Sequence, residues 1–208
     1  MIAIYFLAAT AAALVGSFWI DCLYKLPNAP LTFSDKILER GRFRKILLTV
    51  IFFVAILFSA EIPKSFAAYN LTAIFFLSLI TMTDFEQYII FDKMLLPFAL
   101  ASLPFIFILE LPLPNHLSAA LIGGGFFFFL MALSKNALGG GDVKLIFVLG
   151  LWFGENLLPI ILAGTIFAGF FALIFLSAKI KSRKDFFAYG PYFCIAAFLY
   201  LIFDFKIF

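Results

Sequence analysis

Eight apolar runs, each ended by charged residues or by proline and glycine, organise this chain. They cover approximately 2–20, 46–60, 66–83, 94–112, 117–134, 144–154, 157–178 and 191–207. Several approach the ~20 residues that an α-helix needs to cross the hydrocarbon core of a bilayer. The predicted class is all-α: a polytopic membrane protein of about eight transmembrane helices, with residues 1–208 forming a single integral-membrane unit. One run is too short for a plain span. Only ten residues separate Lys144 from Glu155, ~15 Å of helix against a core of ~30 Å. Such a piece crosses only if its ends are sunk below the surface. This places the irregular backbone of Gly139–Asp142 in a hydrated cavity within the cytoplasmic half of the membrane. A re-entrant hairpin at 144–154 is the competing arrangement, and it would move the basic cluster at 179–184 to the other side.

The polar positions between the runs orient them. If the loops alternate sides from an outside N-terminus, the inside ones hold Lys25, Lys36, Arg40, Arg42, Arg44, Lys45, Lys93, Lys135, Lys144, Lys179, Lys181, Arg183 and Lys184. Only Lys64 and Lys206 are outside, so thirteen of fifteen basic residues share one side. By the positive-inside rule that side is cytoplasmic, and both termini are on the non-cytoplasmic side. The stretches TDFEQYIIFDK (83–93) and LGGGDVK (138–144) then meet at the cytoplasmic face. The loop 21–45 is the only sizeable polar segment, with six basic and three acidic residues. It reads as a solvated, topology-setting loop. The first run has no Lys or Arg before it, so it reads as a retained span rather than a secretory signal.

Composition agrees with this class. The chain is 65% hydrophobic and 13% charged, against about 25% charged in a globular domain, which excludes a soluble domain. The net charge of +3 says little about partners; the surroundings are membrane lipid, and no nucleic acid is expected. Cys22 and Cys194 form neither a four-cysteine zinc site nor a disulfide framework. The single His116 lies in a Pro-flanked loop, so no metal is expected.

Acids in or near hydrocarbon are costly and mark functional sites. The candidates are Asp84, Glu86, Asp92, Glu110 and Asp142, with Asp21, Glu61, Glu155 and Asp204 at the interfaces. Glu110 reads as an outer helix-end anchor. Asp84 and Asp142 remain as the pair that follow long apolar runs on one face. Two facing carboxylates cannot both ionise, so they share a proton. The ionised member can take a proton from a water held between them, while the other donates to a carbonyl oxygen, and the pair later supplies a proton to the leaving nitrogen. This hydrolyses a peptide bond without metal, serine or cysteine. Gly139, Gly140 and Gly141 would let an extended substrate approach and would permit positive φ. Lys144 could tune the pair or meet lipid phosphates, and the second reading is preferred. In the plainer alternative both aspartates merely end helices and the glycines form an ordinary loop. A small ion-coupled transporter also uses intramembrane acids and glycine-broken helices.

Four stretches carry a family resemblance. GGGDVKL resembles the GxGD signature of intramembrane aspartyl proteases, read as Gly139-Gly140-Gly141-Asp142. TDFEQYIIFDK resembles the first-aspartate segment of bacterial type IV prepilin peptidases. GSFWIDCLYKLP (16–27) is similar to the GSFLN…YRLP opening of those enzymes, and YGPYF (189–193) to their FGPF element. The resemblance implies Asp84 and Asp142 as catalytic residues, with Gly139, Gly141 and Lys144 in support. It implies removal of the leader from prepilins or pseudopilins at the cytoplasmic face of the bacterial inner membrane, with no cofactor for proteolysis. Phe91 stands where the family has proline, and Asp92 where it has a second, generally non-catalytic acid; Asp92 is the reserve candidate. Many such enzymes also methylate the new N-terminus with S-adenosylmethionine and carry paired cysteines in the first cytoplasmic loop. Here that loop is reduced, keeps only Cys22, and has ERGRFRK (39–45) as a cysteine-free remnant, so zinc is not expected there and methylation stays open.

Overall fold

The computed structural model describes residues 1–26, 37–133, 138–178 and 189–203. Eight α-helices run through them: α1 (Ile2–Tyr24), α2 (Ile37–Ser59), α3 (Lys64–Gln87), α4 (Asp92–Ile108), α5 (Leu113–Leu133), α6 (Gly140–Phe153), α7 (Leu157–Ser177) and α8 (Gly190–Phe203). A 3-10 turn at Gly154–Asn156 joins α6 to α7, and no strand occurs among the described residues. Among the described residues four stretches are long and apolar enough to cross a membrane: Ile2–Tyr24, Lys64–Gln87, Leu113–Leu133 and the continuous Gly140–Ser177. The protein is a helical membrane protein.

As far as they are described, the predicted apolar runs lie on helices, but three readings need correction. First, α2 starts at Ile37 rather than near 46, so ERGRFRK is helical and not part of a polar loop. Arg44 within it is fully buried instead of solvated, because Ser17, Asp21 and Glu86 from α1 and α3 accept its hydrogen bonds. Second, the backbone at Gly139–Asp142 is not irregular throughout. Gly139 is an extended N-cap with φ −69° and ψ 141°, and Asp142 already lies in the first turn of α6. None of these glycines takes positive φ; among the described residues Gly154 is the glycine that does. Third, His116 is not in a loop but in α5, buried, with Nδ1 2.8 Å from the Leu151 carbonyl oxygen. The middle of the predicted loop, 27–36, lies outside the described residues, as do Lys36, Lys135, Lys179, Lys181, Arg183, Lys184, Asp204 and Lys206.

Lipid tails offer no hydrophobic drive between helices, so membrane helices associate through close packing of small residues and through polar contacts. Both occur here. Gly150 of α6 touches the Ala120 backbone of α5 so closely that a β-carbon would overlap it, and a β-carbon at Gly124 would meet Phe147 at 3.0 Å. Across the centre, Phe76 of α3 stacks on Phe98 of α4, and Phe98 stacks on Trp152 of α6, with ring centroids 5.2 and 5.0 Å apart. Trp152 is fully buried, and its indole N–H donates to the Phe98 carbonyl at 2.8 Å. Tyr69 of α3 donates to the Trp152 carbonyl. These contacts fix α3, α4 and α6 side by side and set where the ends of α3 and α6 fall.

Candidate active site

The segment TDFEQYIIFDK closes one helix and opens the next. Asp84 lies in the last turn of α3, which stops at Tyr88 in the left-handed conformation (φ 58°, ψ 34°), its N–H bonded to the Asp84 carbonyl at 2.9 Å. Residues 89–91 form a short link, and Asp92 begins α4, where an acid suits the positive end of the helix dipole. LGGGDVK opens α6. With Gly139 as N-cap, Asp142 is the third helical residue, and its carboxylate accepts the N–H of Gly139, as an acid does at this position of a capping box.

The two aspartates meet at the start of α8. Asp84 Oδ2 and Asp142 Oδ1 both lie within 4 Å of the point where a β-carbon on Gly190 would sit; for Asp142 that distance is 3.3 Å. The Gly190 N–H also donates to the Asp142 carboxylate. Ile90, from the link after α3, lies beside both glycines: β-carbons at Gly141 and Gly190 would come to 3.1 and 2.9 Å from its side chain. Three elements distant in sequence therefore close on one spot. Asp84 and Asp142 are both buried, at 4% and 8% exposure. Asp84 Oδ2 has no hydrogen-bond partner among the described residues. An orphaned buried polar atom costs about 1–3 kcal/mol and calls for a reason beyond packing.

The other predicted site residues are arranged differently. Gly139 adjoins the Asp142 carboxylate, with a would-be β-carbon 3.1 Å from Oδ2, and Gly141 adjoins Ile90. Lys144 does not stand free to meet lipid phosphates: its Nζ bonds both carboxylate oxygens of Asp92 at 2.8 Å. That pair is exposed, at 57% and 68% of side-chain surface, so Asp92 is not gathered with Asp84 in the buried pocket. Among the described residues no group of three or more His, Cys, Asp or Glu side chains is placed to hold a metal ion.

Two contributors were not singled out from the sequence. Gly190 was quoted only within YGPYF, and its Gly-Pro start is a helix-opening signal that says nothing of an aspartate partner. Cys194, one turn further along α8, is buried close to Thr81 of α3. A lone cysteine in an apolar run carries no such signal.

A family model described as the type IV leader peptidase family matches residues 71–177, just over half of the 208-residue chain. The chain belongs to the type IV leader peptidase family. It is thus a peptidase, a hydrolase, built on membrane helices. The matched region holds both aspartates and the Asp92–Lys144 pair; α1, α2 and α8 lie outside it. No curated protein and no solved structure matches the chain.

Proposed function

We propose that this leader peptidase family member is an aspartic endopeptidase of the bacterial inner membrane. It cuts the leader from type IV prepilins or pseudopilins at the cytoplasmic face, with Asp84 and Asp142 as its catalytic pair. The observation that carries the reading is the convergence of Asp84 Oδ2 and Asp142 Oδ1 on Gly190, in a buried spot where Asp84 Oδ2 has no partner among the described residues. Such a spot suits one water and one shared proton. One carboxylate takes a proton from the water as it attacks the scissile carbonyl, while the other donates its proton to the carbonyl oxygen; as the C–N bond breaks, the first passes the proton it gained to the leaving nitrogen and the other recovers one from the collapsing diol. The Gly190 and Gly139 amides hold the Asp142 carboxylate, leaving Asp84 the freer acid. Because the active form carries one proton on the pair, cleavage falls away on both the acid and the alkaline side.

Eight crossings with both termini outside would put the end of α3 and the starts of α6 and α8 on the cytoplasmic side, and the helix order supports that reading. Lys144 and Asp92 form an outer ion pair in this reading, and neither carries the reaction. Proteolysis uses no cofactor or metal. S-adenosylmethionine enters only if the new N-terminus is also methylated.

Asp84→Asn and Asp142→Asn are each expected to abolish leader removal from a co-expressed prepilin while the protein still accumulates in the membrane. Full processing by either variant defeats the assignment. Mass spectrometry of the product reports the cleavage position and any added methyl group together. Substrate-dependent flux in liposomes without peptide cleavage would instead favour a transporter.

A further inference from the structure

The motif GSFWIDCLYKLP has no part in the chemistry above, yet its polar residues Ser17, Asp21 and Tyr24 are spaced to share one face of α1. All three meet one cation. Arg44 of α2 is fully buried; its Nε donates to Ser17 Oγ at 3.1 Å and its Nη1 to Glu86 Oε2 at 2.8 Å. Its Nη2 donates to Asp21 Oδ1, and the guanidinium lies 5.8 Å from the centroid of the Tyr24 ring. The Tyr24 hydroxyl donates to the same Glu86 oxygen at 2.9 Å. Glu86 belongs to the last turn of α3, two residues after Asp84.

We infer that Arg44 is a positioning residue for the reaction: through Glu86 it fixes the last turn of α3, and so the place at which Asp84 meets Asp142. The inference rests on the peptidase reading of that pair. A guanidinium offers a rigid planar fork of donors, and here the fork ties α1 and α2 to the end of α3. On the far side of that end the backbone turns through left-handed Tyr88 into the link that carries Ile90 against Gly190. The last turn of α3 is therefore held from both sides. An end of α3 released from Glu86 can shift, and misplacing a reacting group by ~1 Å costs on the order of 10²-fold in rate.

The test reads position and activity separately. In a background with Cys22→Ser and Cys194→Ala, Asp84→Cys and Asp142→Cys are combined and treated with a short bifunctional thiol reagent. We expect efficient cross-linking with Arg44 present and a large loss of it with Arg44→Gln. In the chain that keeps both aspartates, Arg44→Gln is expected to lower kcat on purified prepilin by about 10²-fold with KM nearly unchanged, and Arg44→Lys to rescue it only in part. Cross-linking and kcat at parental levels in Arg44→Gln overturn the inference. If Arg44→Gln does not accumulate, Tyr24→Phe removes a single bond to Glu86. It should give smaller decreases of the same two readouts, and parental values for both overturn the inference. Cross-linking that depends on Arg44 in a chain that cuts no prepilin would keep the positioning role and discard the peptidase reading. A parent that does not cross-link at all removes the pair and both readings with it.

Discussion

Gly190 stands against both aspartates, and its hydrogen in place of a side chain is what lets α8 begin there. A β-carbon would collide with Asp84 Oδ2 and come to 2.9 Å from Ile90 Cδ1. Gly190→Ala must therefore push Asp84 aside or lift the start of α8, which also withdraws the N–H that Asp142 accepts. The expected result is a loss of leader cleavage of about 10²-fold or more with the protein still present in the membrane, checked by processing of a co-expressed prepilin. Activity within a few-fold of the parent would show that the pocket has slack. Charge at the residue scale also separates two kinds of ion pair. The Asp92–Lys144 pair is mostly solvent-exposed, and such pairs contribute only ~0–1 kcal/mol. Arg44 has no exposed surface, and removing one partner of a buried pair costs several times more.

Among the elements, α6 makes the greatest demands on its neighbours. Its 14 residues give ~21 Å of rise, less than a bilayer core. Gly154 turns the chain at its end, with φ +52° and ψ −125°. A side chain is strained in that region of φ, and a β-carbon there would also meet the His116 ring at 3.0 Å. Gly154→Ala is expected to destabilise the protein by ~1–3 kcal/mol, seen as a lower Tm in detergent, with catalysis by the surviving folded protein unchanged because the turn lies at the far end of α6 from Asp142. An unchanged Tm would mean that the backbone relaxes at no cost. Helix α3 serves at both ends: Tyr69 is tied to Trp152 near its start, while Glu86 and Tyr88 set its finish. The site is thus held by the ends of helices whose middles are already packed.

For the whole molecule, orientation is the property that decides which substrates reach the pair. Basic residues gather on one side of the proposed topology, and the end of α3 and the start of α6 are on that side. A cysteine at Lys93, in a background without native cysteines, is expected to react with a membrane-impermeant thiol reagent only from the cytoplasmic side. A cysteine at Lys64, before α3, should react only from the other side. Labelling of both from one side would undo the eight-crossing reading and with it the cytoplasmic placement of cleavage.

Hydropathy by itself determined that the chain is helical and membrane-embedded, since runs of apolar residues are local and a bilayer selects them by length. The breaks between runs put Asp84 and Asp142 at helix ends for the same reason. The partners of those ends were not legible. Arg44 reads as one more cation in a polar loop until α1 and α3 close around it, and it meets Glu86 at a separation of 42 residues. Gly190 reads as a helix start, and only the packing of α8 on α3 brings it to Asp84. Lys144 is two positions from Asp142, yet it points to Asp92 because residues two apart on a helix face different ways. Side-chain pairing between distant elements depends on how helices lean together, and that is decided by the tertiary structure alone.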